Sequence, residues 1–164
     1  MMTLDNRNLP ALLLLAMAIG MLGGAYAFQY LGGLQPCALC LYQRWPWWIA
    51  GGVGLLALLP FGDARLRGML LMLGTLAVWA GAGIAAYHAG VEQKWWPGPT
   101  SCSGGATPGT VEELKAMLLA APVVRCDDIA WSLFGISMAG YNMLLSLATG
   151  AGVVMLLRRD MKRR

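Results

Sequence analysis

Four long apolar segments constrain the fold of this chain more than any other feature. They lie at about 9–31, 45–60, 66–89 and 133–157. A helix needs about 20 predominantly apolar residues to cross the hydrocarbon core of a bilayer. Charged residues make up only 12% of the chain, against about 25% in soluble domains. The sequence therefore predicts an all-α membrane protein, a four-transmembrane-helix bundle that forms a single integral membrane domain over residues 1–164.

Two polar loops are predicted on the same side of this bundle, at about 32–44 and 90–132. The second is long and is rich in Gly, Pro, Ser and Thr near "WWPGPTSCSGGATPGT". It also contains a capping-box pattern, Thr110 with Glu113, at the start of an apolar stripe. The stripe consists of Val111, Leu114, Met117 and Leu118. This pattern predicts a short amphipathic helix that lies on the outer membrane surface or packs on the bundle.

The basic residues assign a side to each end of the predicted helices. One side carries Arg7, Arg65, Arg67, Arg158, Arg159, Lys162, Arg163 and Arg164. The other carries Arg44, Lys94, Lys115 and Arg125. The positive-inside rule then places both termini in the cytoplasm and both loops outside. The chain has no basic stripe, so its net charge of +4 indicates topology and anionic lipid headgroups, and no nucleic-acid partner is expected.

The aromatic residues and the first segment bear on the same topology. Six of the seven tryptophans fall near the outer ends of the spans and predict an aromatic belt. They are Trp45, Trp47, Trp48, Trp95, Trp96 and Trp131. The first segment, followed by "AYA" at 25–27, also fits a cleaved secretory signal. Its apolar run continues past that site, which favours a transmembrane helix.

All four cysteines lie in the two outward loops, where disulfides are permitted. Cys37 and Cys40 form a C-x-x-C pair, whereas Cys102 and Cys126 lie in the long loop. Four cysteines allow three connectivities. A C-x-x-C disulfide closes a very small loop, so it suits thiol exchange better than stapling. Two static disulfides are the alternative. Zinc is disfavoured, because 23 residues (103–125) separate the second pair.

Electrons collected by such a dithiol need an acceptor. The sequence has no Gly-rich dinucleotide fingerprint and no C-x-x-C-H haem site. A lipid-soluble quinone is therefore expected, since it can reach a dithiol at the membrane interface laterally. No metal site is predicted.

Two residues near the dithiol are candidates for holding a quinone. Arg44 can favour a thiolate at Cys40 and hold a quinone carbonyl, or it can simply reach toward lipid headgroups. His88, the only histidine, is predicted to end the third span on the same side. It can donate to the quinone or carry a proton, or it can make only local hydrogen bonds. Pro46 disfavours helical geometry at Trp45, which leaves open whether Arg44 lies on the second span.

Three stretches resemble the disulfide-bond formation protein B (DsbB) family of bacterial inner-membrane oxidoreductases. They are "PCALCLYQR", "YHAGVEQKWWPGPTSC" and "VRCDDIAWSLFGISMAGYNML". The order of spans and loops is also similar over nearly the whole chain. In that family, a periplasmic DsbA-like thiol oxidase, DsbB and the quinone pool form one relay. The resemblance implies a location in the bacterial inner membrane and a protein-dithiol:quinone oxidoreductase.

The resemblance also implies a role for each cysteine. The Cys102–Cys126 disulfide would oxidise the DsbA-like partner, with Cys102 forming the mixed disulfide. Cys126 would then attack Cys37 and release Cys40 as the thiolate that reduces ubiquinone. Arg44 and His88 match positions associated with quinone binding. The Trp-Pro pair after the arginine, Trp45 and Pro46, departs from the family pattern.

Two other functions remain open on the sequence. The vitamin K epoxide reductase family also links thiols to a quinone with four helices, but its active C-x-x-C lies at a later span. A non-enzymatic membrane scaffold with static disulfides belongs to a different class. Exchange with a dithiol partner distinguishes an enzyme from the scaffold.

Overall fold

The computed structural model describes residues 6–60, 63–99, 109–112, 115 and 124–163. A 3₁₀ turn at Asn6–Asn8 leads into the first helix. The α-helices are α1 (Leu9–Tyr30), α2 (Ala38–Tyr42), α3 (Arg44–Leu58), α4 (Ala64–Glu92) and α5 (Met138–Arg163). An antiparallel hairpin precedes α5; its strands are β1 (Ser132–Leu133) and β2 (Ile136–Ser137).

Three helices, α1, α4 and α5, are long and apolar enough to cross a membrane. Most of the residues in their apolar windows are not buried inside the protein, as expected for surfaces that contact lipid rather than a core. Helix α3 has 15 residues and a length of about 22 Å, less than the bilayer core of about 30 Å. The described fold is therefore that of an all-helical, multi-pass membrane protein with three clear spans.

The helices pack through one apolar core. Helix α3 lies against α1 and α4, and α5 lies against α4 and α1. The fully buried side chains of Leu14, Val78 and Val153 come from three different helices. Close approach of α3 and α4 depends on a glycine: a Cβ on Gly81 would lie 2.9 Å from Cβ of Pro46.

Pro46 also explains the break between α2 and α3. Proline has no N–H to donate to the carbonyl four residues earlier, which is that of Tyr42. The chain turns at Gln43, and α3 begins at Arg44. Trp45 is helical although a following proline disfavours that geometry, which answers the question that the sequence left open. Arg44 is the first residue of α3.

The hairpin corrects the predicted start of the last span. The apolar segment began at 133, but α5 begins at Met138. Phe134 and Gly135 have φ angles of 51° and 76°, the left-handed pair that suits a two-residue hairpin turn. The hydroxyl of Ser137 then accepts from the backbone N–H of Gly140 and caps α5. Apolar composition alone could not reveal this change of geometry.

Two further predictions concern the amphipathic helix of the long loop and the aromatic belt. Val111, Glu112 and Lys115 are helical, whereas Glu113, Leu114, Met117 and Leu118 of the predicted amphipathic helix lie outside the described residues. In the predicted aromatic belt, Trp47 is an exception. Its side chain is 2% exposed and belongs to the core.

The bundle has two chemically distinct ends. At one end, the guanidinium of Arg67 donates to the backbone carbonyl of Arg7 and to Oδ1 of Asn8, both over 2.7 Å. Arg158 lines a cavity with Arg7 and Arg67. The C-x-x-C pair lies at the opposite end, where α4 ends and α5 begins.

Candidate functional site

The site is built around the C-x-x-C pair at the start of α2. Cys37 has an extended backbone and occupies the N-cap of α2, where its sulfur accepts the backbone N–H of Cys40 over 3.2 Å. The two sulfurs are 2.8 Å apart and share a hydrogen bond. Both thiols are free. The capping geometry thus points the first sulfur at the second.

The pair has two very different acidities. The hydrogen bond with Cys40 lowers the pKa of Cys37 from 9.0 to about 4; interactions with His88 act in the same direction, and burial opposes them. The same hydrogen bond, together with burial, raises the pKa of Cys40. Cys37 is therefore the thiolate of the reduced pair, and the remaining thiol hydrogen is on Cys40.

His88 lies beside this thiolate. It occupies the last part of α4 and is only 3% exposed. Its Nε2 is 3.6 Å from Sγ of Cys37, and its Nδ1 is 2.7 Å from the side-chain nitrogen of Gln43. Helix α4 continues to Glu92, so His88 does not end the span as the sequence suggested. It is a buried member of the site rather than an exposed interfacial residue.

A chain of amides extends from His88 into the core. Gln43 accepts from the Asn142 side-chain nitrogen over 2.6 Å, and Asn142 accepts from the indole N–H of Trp47 over 2.8 Å. Ser146 also donates to Asn142, over 3.4 Å. All of these side chains are buried. Buried polar groups are tolerated in a core when each has a hydrogen-bond partner, as these do.

A carboxylate lies on the other side of the imidazole. Oε1 of Glu92 is 3.9 Å from Nε2 of His88, and both side chains are about 95% buried. The hydroxyl of Ser137 donates to the second oxygen of Glu92. Ser137 thus links the N-terminus of α5 to the last turn of α4.

The second cysteine pair is described only at Cys126. Cys126 is disulfide-bonded and fully buried, and it shares one apolar cluster with Cys37, Leu39 and Val91. Cys102 lies outside the described residues. Beside Cys126, the Arg125 guanidinium binds both carboxylate oxygens of Asp127, at 2.9 and 2.7 Å. This pair lowers the pKa of Asp127.

An apolar cavity of about 320 Å³ opens beside the dithiol. It follows α1 from Phe28 to Gly20 and α5 from Met138 to Leu145. Its lining also includes Cys37, Cys40, Arg44 and His88. The Arg44 guanidinium lies 4.7 Å from the ring centroid of Tyr26, which orients it by a cation–π contact. The structure therefore brings five of the six predicted site residues to one end of the bundle.

Comparison with known proteins identifies the family of this chain. A family model described as "Disulfide bond formation protein DsbB" matches residues 7–156, nearly the whole chain. The chain belongs to the DsbB family. Its members are membrane proteins of disulfide formation, so this chain is a disulfide-forming oxidoreductase in the broad sense.

Individual relatives cover most of the chain. "Disulfide bond formation protein B" of Dechloromonas aromatica is 32% identical over 152 residues, 87% of each chain. The protein of the same description from Marinobacter nauticus is 32% identical over 153 residues, 85% of this chain and 86% of its own. An uncharacterized protein of Rickettsia prowazekii is 29% identical over 146 residues, 87% of this chain and 83% of its own. No solved structure was found to match.

Several residues around this DsbB-family dithiol were missed on the sequence. Glu92 follows His88 by four residues, which places both on one helix face. Asn142 is a polar residue within an apolar span, which is a general sign of a functional position. Gln43 and Ser137 carry no comparable signal, because their roles depend on how three helices meet.

Proposed function

We propose that this protein reoxidises a periplasmic DsbA-like thiol oxidase and passes the electrons through its two cysteine pairs to ubiquinone or another membrane quinone. The observation that carries the proposal is the position of the Cys37–Cys40 dithiol. It lies on the wall of an apolar cavity between helices, beside Arg44 and His88. A water-soluble electron acceptor would not need an apolar site between helices.

The cavity fits a quinone headgroup. Small-molecule sites have volumes of about 300–1,000 Å³, with mostly apolar walls and few polar groups. At about 320 Å³, this cavity suits a single ring rather than a dinucleotide. Arg44 and His88 are the residues that would hold the quinone oxygens. When bound, the quinone accepts two electrons and two protons.

The acidities of the dithiol suit this exchange. Attack on a disulfide requires a thiolate, and a thiol of low pKa is also a good leaving group. With its depressed pKa, Cys37 is stable as a thiolate whenever it is released from a disulfide. Because the pKa of Cys40 is raised, its sulfur takes up a proton readily once it is released, and a nearby group must remove that proton before Cys40 reacts with the quinone.

The relay between the pairs is proposed from burial. Cys126 packs in one cluster with Cys37, so its thiolate could reach that sulfur without crossing water. A bond from Cys126 to Cys37 would form as the Cys37–Cys40 disulfide breaks and Cys40 leaves as a thiolate. The Cys102 thiolate would then attack Cys126, which restores the Cys102–Cys126 disulfide and releases Cys37. The Cys37–Cys40 dithiol would return to its disulfide as the quinone becomes a quinol, so each cycle moves two electrons and two protons from the partner dithiol to the quinone. Cys102 is proposed to form the mixed disulfide with the partner.

The proposed topology has four spans in the bacterial inner membrane, with both termini in the cytoplasm. Helix α3 (Arg44–Leu58) is proposed as the second span, with the short helix α2 before it at the outer end of the bundle. Arg7, Arg67 and Arg158 share the end opposite the dithiol. With that basic end in the cytoplasm, the cysteines face the periplasm.

The test is quinone consumption. The purified protein in detergent is mixed with a ubiquinone analogue and a reduced thioredoxin-like periplasmic dithiol, and quinone absorbance is followed. We expect the wild type to consume quinone and Cys40→Ser to consume none. Lys94→Ala, at an exposed position near the same end, is the matched control and should behave as the wild type. If the folded wild type leaves both reagents unchanged, the scaffold with static disulfides replaces this proposal.

A further inference from the structure

We infer that Trp47, Asn142 and Gln43 are positioning residues that fix the proton of His88 on Nε2, so that the imidazole donates to the sulfur of Cys37. Neutral histidine has two tautomers, and the partner of one nitrogen decides which nitrogen carries the proton. Here that partner, Gln43, is itself oriented by a chain of hydrogen bonds across three helices. Any effect of this tautomer on quinone reduction rests on the proposed function, whereas the assignment of the tautomer itself does not.

The first fixed point of the chain is Trp47. An indole N–H can only donate, so the atom of Asn142 that faces it at 2.8 Å is the carbonyl oxygen. The amide nitrogen of Asn142 must then point the other way, toward Gln43, at 2.6 Å. Since that nitrogen donates, the atom of Gln43 it meets is the oxygen. The orientation of both amides follows from one buried tryptophan.

The second fixed point is the backbone carbonyl of Leu39. A carbonyl can only accept, and the Gln43 side-chain nitrogen donates to it over 3.2 Å. Both ends of the chain therefore require the same orientation of Gln43. Its NH₂ group faces Nδ1 of His88 at 2.7 Å, so Nδ1 is the acceptor and carries no proton. The proton of the neutral ring is on Nε2.

The surroundings of Nε2 agree with this assignment. Its neighbours include the sulfur of Cys37 at 3.6 Å and a carboxylate oxygen of Glu92 at 3.9 Å, and the backbone of Cys126 also hydrogen-bonds to the ring. The sulfur and the carboxylate are both acceptors when ionised. The other oxygen of Glu92 already accepts from Ser137. A proton on Nε2 thus meets acceptors only, whereas a proton on Nδ1 would meet the NH₂ group of Gln43.

This tautomer has a consequence for metal binding. The sulfurs of Cys37 and Cys40 and a ring nitrogen of His88 lie within 4.8 Å of one another, a donor set that zinc accepts in other proteins. A metal-bound histidine donates its other N–H to an acceptor. Here the other nitrogen, Nδ1, itself accepts from an amide. The positioning chain therefore favours a hydrogen bond to the Cys37 thiolate over coordination of a metal.

The experiment uses the single histidine. Full-length protein labelled with ¹⁵N-histidine and reduced in detergent micelles gives ring signals from His88 alone. Couplings to the carbon-bound ring hydrogens identify each nitrogen. We expect the wild type to show the Nε2–H tautomer by about ten to one or more, which corresponds to one hydrogen bond. A predominant Nδ1–H tautomer or a doubly protonated ring would overturn the inference.

Two variants are designed to reverse the direction of the hydrogen bond between Gln43 and His88. Gln43→Glu places an acceptor at Nδ1, and Asn142→Asp requires Gln43 to turn its NH₂ group away from His88. In each, the Nδ1-protonated fraction should rise about tenfold. Gln93→Glu, which adds the same charge at an exposed position, should leave the spectrum unchanged. Unchanged spectra in both folded variants would also overturn the inference, and the wild-type spectrum decides if neither variant folds.

The same samples separate this inference from the proposed function. An Nε2–H signal in a protein that consumes no quinone would overturn the proposed function and leave the tautomer in place. Quinone consumption together with an Nδ1–H signal would support the proposed function and overturn the assignment of the tautomer.

Discussion

The sulfur of Cys37 accepts the backbone N–H of Cys40, and the sulfur of Cys40 lies 2.8 Å away from it. Cys40 thus supplies two of the groups that stabilise the Cys37 thiolate, its backbone N–H and its thiol. His88 supplies the third, from a different helix. A C-x-x-C sequence can provide the first two by local geometry, but only the fold provides the imidazole.

The acidity of Cys37 leads to a prediction for pH dependence. Thiolate absorbance of the reduced protein near 240 nm should persist from neutral pH down to about pH 4, because the pKa of Cys37 is lowered to about 4. Cys37→Ser should abolish this absorbance. A transition near the ordinary thiol pKa of about 8.5 would contradict the prediction.

The same pKa predicts how stability changes with pH. A thiol whose pKa falls on folding stabilises the reduced fold fully above the unfolded pKa of about 8.5, and this contribution is lost as pH falls toward 4. The stability difference between wild type and Cys37→Ser, both reduced, should therefore shrink as pH is lowered through this range. Denaturant unfolding in detergent at several pH values measures it. A difference that grows on acidification would have the wrong sign.

Arg44 is predicted to act in quinone binding. Arg44→Ala should raise the apparent KM for the quinone at least tenfold, since hydrogen bonds to charged groups contribute about 1.5–3 kcal/mol. Arg44→Lys should recover only part of this, because it keeps the charge but loses the planar fork and its contact with Tyr26. Steady-state kinetics against quinone concentration provide the measurement. An unchanged KM in Arg44→Ala would leave the residue a headgroup contact only.

Ser137 is predicted to be structurally important. Ser137→Ala removes the cap of α5 and the donor to buried Glu92. Together these losses should lower the free energy of unfolding by about 2 kcal/mol. Ser132→Ala, on an exposed position of the same hairpin, is the control and should change little. Equal stability of the two variants in detergent would rule out the capping role.

A side chain at Gly81 is predicted to lower the stability of the fold. Gly81→Ala places a Cβ 2.9 Å from Pro46 and should cost about 1–3 kcal/mol by overpacking. Gly83→Ala is the matched control on the same helix, because a Cβ there meets nothing within 4 Å. That change should be neutral or stabilising by up to about 1 kcal/mol. Thermal unfolding of both variants distinguishes the two positions.

Residue patterns predicted the three long membrane helices well, because the bilayer imposes a simple rule of length and polarity. Helix α1 and the predicted segment 9–31 agree to within one residue. The start of α5 was misplaced because Leu133 and Phe134 are apolar, while the turn depends on backbone angles at Phe134 and Gly135. Backbone geometry of this kind has no signature in hydropathy.

The candidate site was predictable only where chemistry is local. Cys37 and Cys40 are recognised by their spacing, and Arg44 by its distance from them. Contacts between Cys37 and His88, or between Gln43 and Asn142, join residues that are far apart in the sequence. They depend on the crossing of helices, which a pattern along one helix cannot specify.

The burial of the sulfurs also sets which reactions are fast. Cys37 is 4% exposed and Cys126 is fully buried, so a small thiol in the surrounding water reaches Cys37 only through the apolar cavity. Exchange between two sulfurs inside one protein avoids that barrier, because the attacking group is already at high effective concentration. In the proposed relay, dissolved reductants would therefore react more slowly with Cys37 and Cys126 than these two sulfurs react with each other.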